Sequence, residues 1–241
     1  MNIMKHRKLV LYVIGALVSQ MIHAEYFKHI GLFDGLSQFS VMSIYQDQLG
    51  RMWFGTKEGV NIYDGNANIA YKAFAANNRG NTNKVLIGNN VSAINGNRDG
   101  DVFLLADNAL LKYDLKKETF TTLLPRSCYA LASYEGDIWC VAQDTLWTYD
   151  AVAKKLNFVA KGELDGTNWL TVTASTFYIS GKKGLTAIDR KSKQSRMVLE
   201  GFDVYRTFES SQKELWVGCL QDGLYRISPG GKVQKVPYSP D

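Results

Sequence analysis

The sequence predicts an all-β fold, a β-propeller built from four-stranded antiparallel blades. Three observations support this prediction. One pattern of strands and turns occurs five times in the 241 residues, each copy has an aromatic residue at the same place, and the spacing after that residue is nearly constant. Repeats of about 40 residues with four short strands are typical of propeller blades, whose sheets pack face to face on their neighbours.

Each copy contains an apolar strand, a turn with Gly or Asp, a strand led by an aromatic residue, a second turn, and a strand that ends near Tyr-Asp. A further apolar or alternating segment supplies the fourth strand. The predicted blades are residues 41-74, 91-124, 128-160, 169-200 and 204-237. The aromatic residues, interpreted as structural blade anchors, are Trp53, Phe103, Trp139, Tyr178 and Trp216. In each copy, nine or ten residues separate the anchor from the residue at the position of Tyr63 in the first copy. This nearly constant distance indicates a true repeat.

Residues 1-24 are typical of a secretory signal peptide. Lys5, Arg7 and Lys8 precede an apolar run over residues 9–18, and Ala24 is the expected cleavage position. Ten apolar residues are too few to span a bilayer about 30 Å thick as a helix. The sequence therefore predicts export to the periplasm, propeller repeats over residues 25-241, and no transmembrane helix after signal cleavage.

Charge and histidine content exclude several classes of function. The formal charge of +5 includes three basic residues and no acid in residues 1–24, so 25 basic and 23 acidic residues remain, a net charge of +2. A nucleic-acid partner is therefore not expected. Because His29 is the one histidine after residue 24, a His-based triad or a multi-His zinc site is excluded, and no metal or cofactor is predicted.

The cysteines are Cys128, Cys140 and Cys219, an odd number without a CxxC pair. Each lies in or beside an apolar stretch. Buried free thiols are the favoured interpretation, and a Cys128–Cys140 disulfide is the alternative.

The first copy resembles a known family. Its Phe-Asp-Gly-Leu-Ser at residues 33–37 is followed by apolar and turn segments at residues 41–47, 50–56 and 59–65. Together these resemble the opening of the sensor propellers of hybrid two-component regulators. The resemblance is dense over residues 26–74, and the later copies keep the spacing but drift from the consensus.

This resemblance implies a periplasmic sensor of Gram-negative polysaccharide degraders. Members have a signal peptide, two propellers usually of seven blades, an immunoglobulin-like domain, one membrane helix, a histidine kinase, a receiver and a DNA-binding domain. Oligosaccharide binding outside would set kinase activity in the phosphorelay and so regulate transcription. The kinase, membrane and DNA-binding parts are not in these 241 residues.

The number of blades leaves alternatives open. Five copies are present where the family builds seven, so a truncated fragment of a seven-bladed propeller is expected. A free-standing small propeller that binds carbohydrate or docks to other proteins is the alternative, and a deliberately partial sequence is a third. Partners would be an oligosaccharide, and other propeller blades or a second copy in a homodimer.

A binding site is expected where the first strands of the blades begin, because loops vary there on a fixed scaffold and aromatic and polar groups suit sugars. Trp169→Ala and Tyr205→Ala are predicted to abolish glycan binding without unfolding the domain. The predicted ligand-binding residues are Asn90, Tyr129, Trp169, Tyr205 and Arg206. No catalytic residues are predicted, because a glycosidase needs two carboxylates flanking the bond and most repeated acids occupy turn positions.

Overall fold

The computed structural model describes residues 28–73, 86–162, 164 and 166–237. The predicted signal peptide, residues 1-24, and Phe74 at the end of the first predicted blade lie outside the described residues. The chain divides into two units at Gly31, and all strands lie in the second unit, Leu32–Asp241. The fold class is confirmed: the described residues form five four-stranded antiparallel sheets and contain no α-helix.

Each sheet is one blade, and its four strands pair in the order of the sequence. A short 3-10 turn, Leu32–Asp34, precedes the first blade. Blade 1 contains β1 Val41–Gln46, β2 Met52–Thr56, β3 Gly59–Tyr63 and β4 Asn68–Tyr71. Blade 2 contains β5 Val91–Gly96, β6 Val102–Ala106, β7 Ala109–Asp114 and β8 Thr119–Leu124. Blade 3 contains β9 Cys128–Tyr134, β10 Asp137–Ala142, β11 Thr145–Asp150 and β12 Lys155–Lys161. Blade 4 contains β13 Thr167–Val172, β14 Thr176–Gly181, β15 Gly184–Asp189 and β16 Ser195–Glu200. Blade 5 contains β17 Val204–Glu209, β18 Leu215–Cys219, β19 Gly223–Ile227 and β20 Val233–Lys235.

The turn between the first two strands is stabilised by one polar side chain. In blade 1, Asp47 accepts backbone hydrogen bonds from Leu49 and Arg51, and Gly50 adopts a φ of +79° that L-residues rarely take. In blade 2 the equivalent acceptor is Asn97, which accepts from the N–H groups of residues 99 and 101. Asp99 lies in the same turn, but Asn97 makes these contacts because it is the residue aligned with Asp47.

The blades pack through four apolar clusters, one between each pair of consecutive blades. Trp53 and Val60 of blade 1 share a cluster with Val91 and Leu104 of blade 2. Equivalent clusters join blades 2 and 3, 3 and 4, and 4 and 5. In blades 1 to 4, the face of the sheet that carries the anchor aromatic residue points to the next blade along the chain. This face, and the equivalent face of blade 5, is called the forward face, and the opposite face is called the rear face.

The anchor positions differ in burial. Trp53 and Phe103 are fully buried and make edge contacts with Tyr113 and Tyr149 of the following blade, at centroid distances of 5.0 and 4.8 Å. Trp139 is buried against Phe177 of blade 4, and Tyr178 packs against the cluster of blades 4 and 5. Trp216 of blade 5 is partly exposed and belongs to none of these clusters of described residues.

The two ends of the row of blades present uncovered faces. On the forward face of blade 5, Phe208 is 66% exposed and Leu224 is 39% exposed beside Trp216. At the other end, Ile44 of blade 1 is 61% exposed. Among the described residues β1 and β17 do not pack on each other as consecutive first strands do, so the five blades form an open arc.

The chain before blade 1 covers part of its rear face. The buried Asn61 side chain of β3 accepts a hydrogen bond from the N–H of Ser37 and donates one to the carbonyl of Gly35. Leu36 between them is 7% exposed. This segment therefore caps blade 1 where an internal blade would contact a preceding sheet.

Candidate functional site

The first strands of all five blades line one central channel. Its cavity volume is about 410 Å³. Apolar groups supply much of the wall, including Ile44, Leu131 and Phe208. The polar or charged residues of the wall are Ser43, Ser92, Asn95, Ser133, Thr171, Arg206 and Thr207. A mixed wall of this kind, with a few convergent polar groups, is the usual character of a small-molecule site.

Hydrogen bonds between neighbouring blades fix several of these polar groups. Asn95 Nδ2 donates to the carbonyl of Leu131 at 3.3 Å, and Ser133 Oγ donates to Asn95 Oδ1 at 3.1 Å. The hydroxyls of Thr171 and Thr207 lie 2.8 Å apart. The buried Ser43 Oγ, in contrast, has no hydrogen-bond partner among the described residues. Several polar groups of the wall are therefore held in place by neighbouring blades, while the Ser43 hydroxyl is too buried to reach a ligand.

Arg206 and Trp169 form the most distinctive feature of the channel. The guanidinium carbon of Arg206 lies 3.7 Å from the centre of the Trp169 ring, and 5.2 Å from that of Tyr205. Asn168 Nδ2 donates to Asp203 Oδ1 and to the carbonyl of Val204, both at 3.0 Å. These contacts fix the start of β17 against β13, and so hold the cation over the indole face.

The structure brings two of the five predicted ligand-binding residues together in the channel wall, Trp169 and Arg206. Asn90, Tyr129 and Tyr205 are not among the residues that line it. The carbonyl of Asn90 accepts from the N–H of Asp107, while Tyr129 and Tyr205 are 40% and 42% exposed. The assignment of all five to a ligand remains a prediction.

A repeated backbone irregularity explains why strand position alone does not predict which side chains enter the channel. In every blade the pairing of the first and second strands shifts at the second residue of the first strand, as at Ser92 between Val91 and Ala93. Such a bulge shifts the alternation of side chains by one residue. Small polar residues recur in all five of these strands, yet sequence reasoning missed those of the wall: Ser43, Ser92, Asn95, Ser133, Thr171 and Thr207.

The repeated acids serve the backbone of turns. Asp64, Asp114, Asp150 and Asp189 each accept two hydrogen bonds from backbone N–H groups two and three residues later. For Asp64, Asp150 and Asp189 these bonds are the main cause of a lowered carboxyl pKa. Carboxylates held in this way stabilise turns. No Asp or Glu lines the described part of the channel.

Asp47 combines a turn role with a buried side-chain contact. Its Oδ2 accepts from Trp53 Nε1 and from Arg51 Nε, each at 2.8 Å. Burial alone would raise the pKa of Asp47, but the hydrogen bonds from Trp53 and Arg51 outweigh it and hold the pKa below its usual range. The carboxylate thus ties the turn to the anchor of blade 1.

The three cysteines are buried free thiols, as the sequence favoured. A hydrogen bond with Cys140, followed by burial, raises the pKa of the Cys128 thiol well above its usual value. Burial likewise raises the pKa of Cys219. A thiol with a raised pKa is poorly nucleophilic, so these groups act as small apolar residues of the blade interfaces.

Neither clustered metal ligands nor a membrane-spanning helix occur in the part of the chain that the structure describes. Within those ranges, no three His, Cys, Asp or Glu side chains are grouped so that they could hold a metal ion. Nor do the described residues include a helix with the length and hydrophobicity that a membrane crossing requires.

Comparison with known proteins supports the resemblance of the first blade. Residues 35–58 match the family model described as Two component regulator propeller. Histidine kinase P4 of Formosa agariphila is 46% identical over 46 residues, which are 19% of this chain and 3% of that protein.

Solved structures agree on the fold. The extracellular domain of a proposed hybrid two component system from B. thetaiotaomicron matches with a TM-score of 0.72 and 19% identity, over 86% of this chain and 31% of that chain. A second extracellular domain, of a proposed one component system from B. thetaiotaomicron, matches with a TM-score of 0.67 and 15% identity, over 85% of this chain and 32% of that chain. This chain therefore spans about a third of the length of these domains. It is a β-propeller whose first blade carries a two-component regulator propeller repeat over residues 35–58.

Proposed function

We propose that this chain is the exported, ligand-binding propeller of a two-component type of sensor that regulates polysaccharide use, and that its ligand is an oligosaccharide. The single observation that carries the proposal is the regulator propeller repeat at residues 35–58, which opens a row of blades of the same design. The solved extracellular domains share this fold. Sensing, export and polysaccharide regulation are the roles that the resemblance implies.

The channel supports the binding part of the proposal. An indole face, several hydroxyls and an amide are the groups that contact sugar rings and sugar hydroxyls, and here they converge on one cavity. Loops and strand ends on a rigid scaffold can change ligand preference without changing the fold. In this account the propeller recognises and positions a ligand and performs no chemistry on it.

Isothermal titration of the full chain with a panel of neutral and acidic oligosaccharides tests this function. We expect at least one member to bind, and Trp169→Ala to weaken that binding at least tenfold because the ring face is removed. Phe158→Ala is the matched control: its aromatic side chain is 62% exposed on the outer strand β12, away from the channel wall. Absence of binding across the panel, or equal losses in both variants, would contradict the proposal.

A second function, docking to another propeller blade, is favoured by the uncovered forward face of blade 5. A groove of about 900 Å³ lies at this end of the molecule, lined by Gly218, Leu224 and Pro237 among others. In blades 1 to 4, the residues at the position equivalent to Leu224 are covered by the next blade. Because the face continues the pattern of those interfaces, the occupant we propose is a blade of a second copy of this chain.

Light scattering during gel filtration tests this second function. A second copy on blade 5 predicts a concentration-dependent dimer that Leu224→Asp disrupts, since a charge would then replace an apolar side chain of the groove. A monomer at all concentrations would contradict docking between copies and leave the oligosaccharide proposal as the sole function.

A further inference from the structure

We infer that the channel binds an anionic group of its ligand, a carboxylate or a sulfate carried by a sugar, and that Arg206 is the residue that recognises it. This inference rests on the proposed function, because it assigns a ligand class to the same channel. Its basis is the chemistry of the channel wall, in which the described residues supply one positive charge and no negative charge.

The guanidinium of Arg206 is positioned but has no anionic partner among the described residues. Its guanidinium carbon lies 3.7 Å from the centre of the Trp169 ring, a cation–π contact that holds the group in place. No side-chain hydrogen bond or ion pair joins Arg206 to another described residue. Arg51, Arg98 and Arg226, in contrast, each pair with a carboxylate. The N–H groups of Arg206 are therefore available to a ligand.

The two acids nearest to Arg206 in the sequence are already engaged. Asp203 lies three residues before Arg206, and its Oδ1 accepts a hydrogen bond from Asn168. Glu209 lies three residues after Arg206 and pairs with Lys213 at 3.2 Å. Neither acid is part of the channel wall, so neither neutralises the positive charge there.

Guanidinium chemistry selects the ligand class. The planar fork of N–H donors matches the paired oxygens of a carboxylate or sulfate, and such charge-assisted bonds are about twice as strong as neutral ones. A partly enclosed wall lowers the effective dielectric and lengthens the reach of a single charge. The indole next to the cation can receive a sugar face, so one site would bind both parts of an acidic sugar.

Titration of the full chain with three probes of matched length tests this inference: an oligogalacturonide, a sulfated galactan oligosaccharide and a neutral galactan oligosaccharide. We expect one of the two anionic probes to bind at least tenfold more tightly than the neutral one, and its affinity to fall as the salt concentration is raised. Arg206→Gln should remove that preference, and Arg206→Lys should retain part of it as a point charge. The difference in affinity between the two anionic probes shows whether the recognised group is a carboxylate or a sulfate.

The outcomes separate this inference from the function on which it rests. Tight binding of the neutral probe that Arg206→Gln leaves unchanged would overturn the anionic class while supporting an oligosaccharide ligand. No binding of any probe would overturn both. Equal thermal unfolding midpoints for Arg206→Gln, Arg206→Lys and the parent chain show that the loss comes from the charge and not from the fold.

Discussion

The forward faces of blade 1 and blade 5 carry the same pattern and have different surroundings. On blade 1, Trp53 is fully buried against blade 2, and its Nε1 donates to Asp47. On blade 5, Trp216 occupies the same register position, but it is partly exposed beside Phe208. The comparison teaches that a repeat encodes half of an interface, because the neighbouring blade supplies the other half.

Replacing the two anchors gives the largest expected contrast. Trp53→Ala leaves a cavity between blades 1 and 2 and removes one of the two side-chain hydrogen bonds to Asp47 Oδ2, so it should cost about 3–5 kcal/mol of unfolding free energy. Trp216→Ala, on an uncovered face, should cost less than about 1 kcal/mol. Urea unfolding of the two variants measures the difference, and similar losses would show that the face of blade 5 is covered in solution.

A glycine pair gives a smaller contrast at the same two faces. A Cβ on Gly55 would lie closest to Ser43 Oγ, and 2.6 Å from the carbonyl oxygen of Val91 in blade 2. A Cβ on Gly218, in contrast, would meet just the Arg206 carbonyl at 3.7 Å. Gly55→Ala should therefore cost about 2–3 kcal/mol through overpacking. Gly218→Ala should change stability by less than about 0.5 kcal/mol. Thermal unfolding midpoints check the pair, and a large loss at Gly218 would contradict the open arc.

The sequence predicts the parts of the fold that repeat. The nearly constant distance from each anchor to the third strand makes the blade pattern visible in the sequence alone, and the anchors are Trp53, Phe103, Trp139, Tyr178 and Trp216. The sequence does not show that Trp216 lies on an uncovered face, because burial depends on the neighbouring blade and not on the residue. Trp53 and Trp216 therefore look alike in the sequence and differ in the fold.

The candidate site was predictable only in part. Trp169 and Arg206 stand out as large residues near the starts of β13 and β17, but their contact depends on the alignment of two blades. Tyr129 and Tyr205 are the second residues of β9 and β17 and yet do not line the channel. The bulge at the second residue of each first strand decides this, and no residue type in the sequence marks it.

Hydrogen–deuterium exchange of the full chain, with and without the oligogalacturonide, tests most directly whether the central channel is the ligand site. A ligand held between β13 and β17 suppresses local opening there. We expect slower exchange over residues 169–172 and 206–208, with no change over residues 218–224 on the end face of blade 5. Slower exchange over residues 218–224, with the first strands of the blades unaffected, would contradict it.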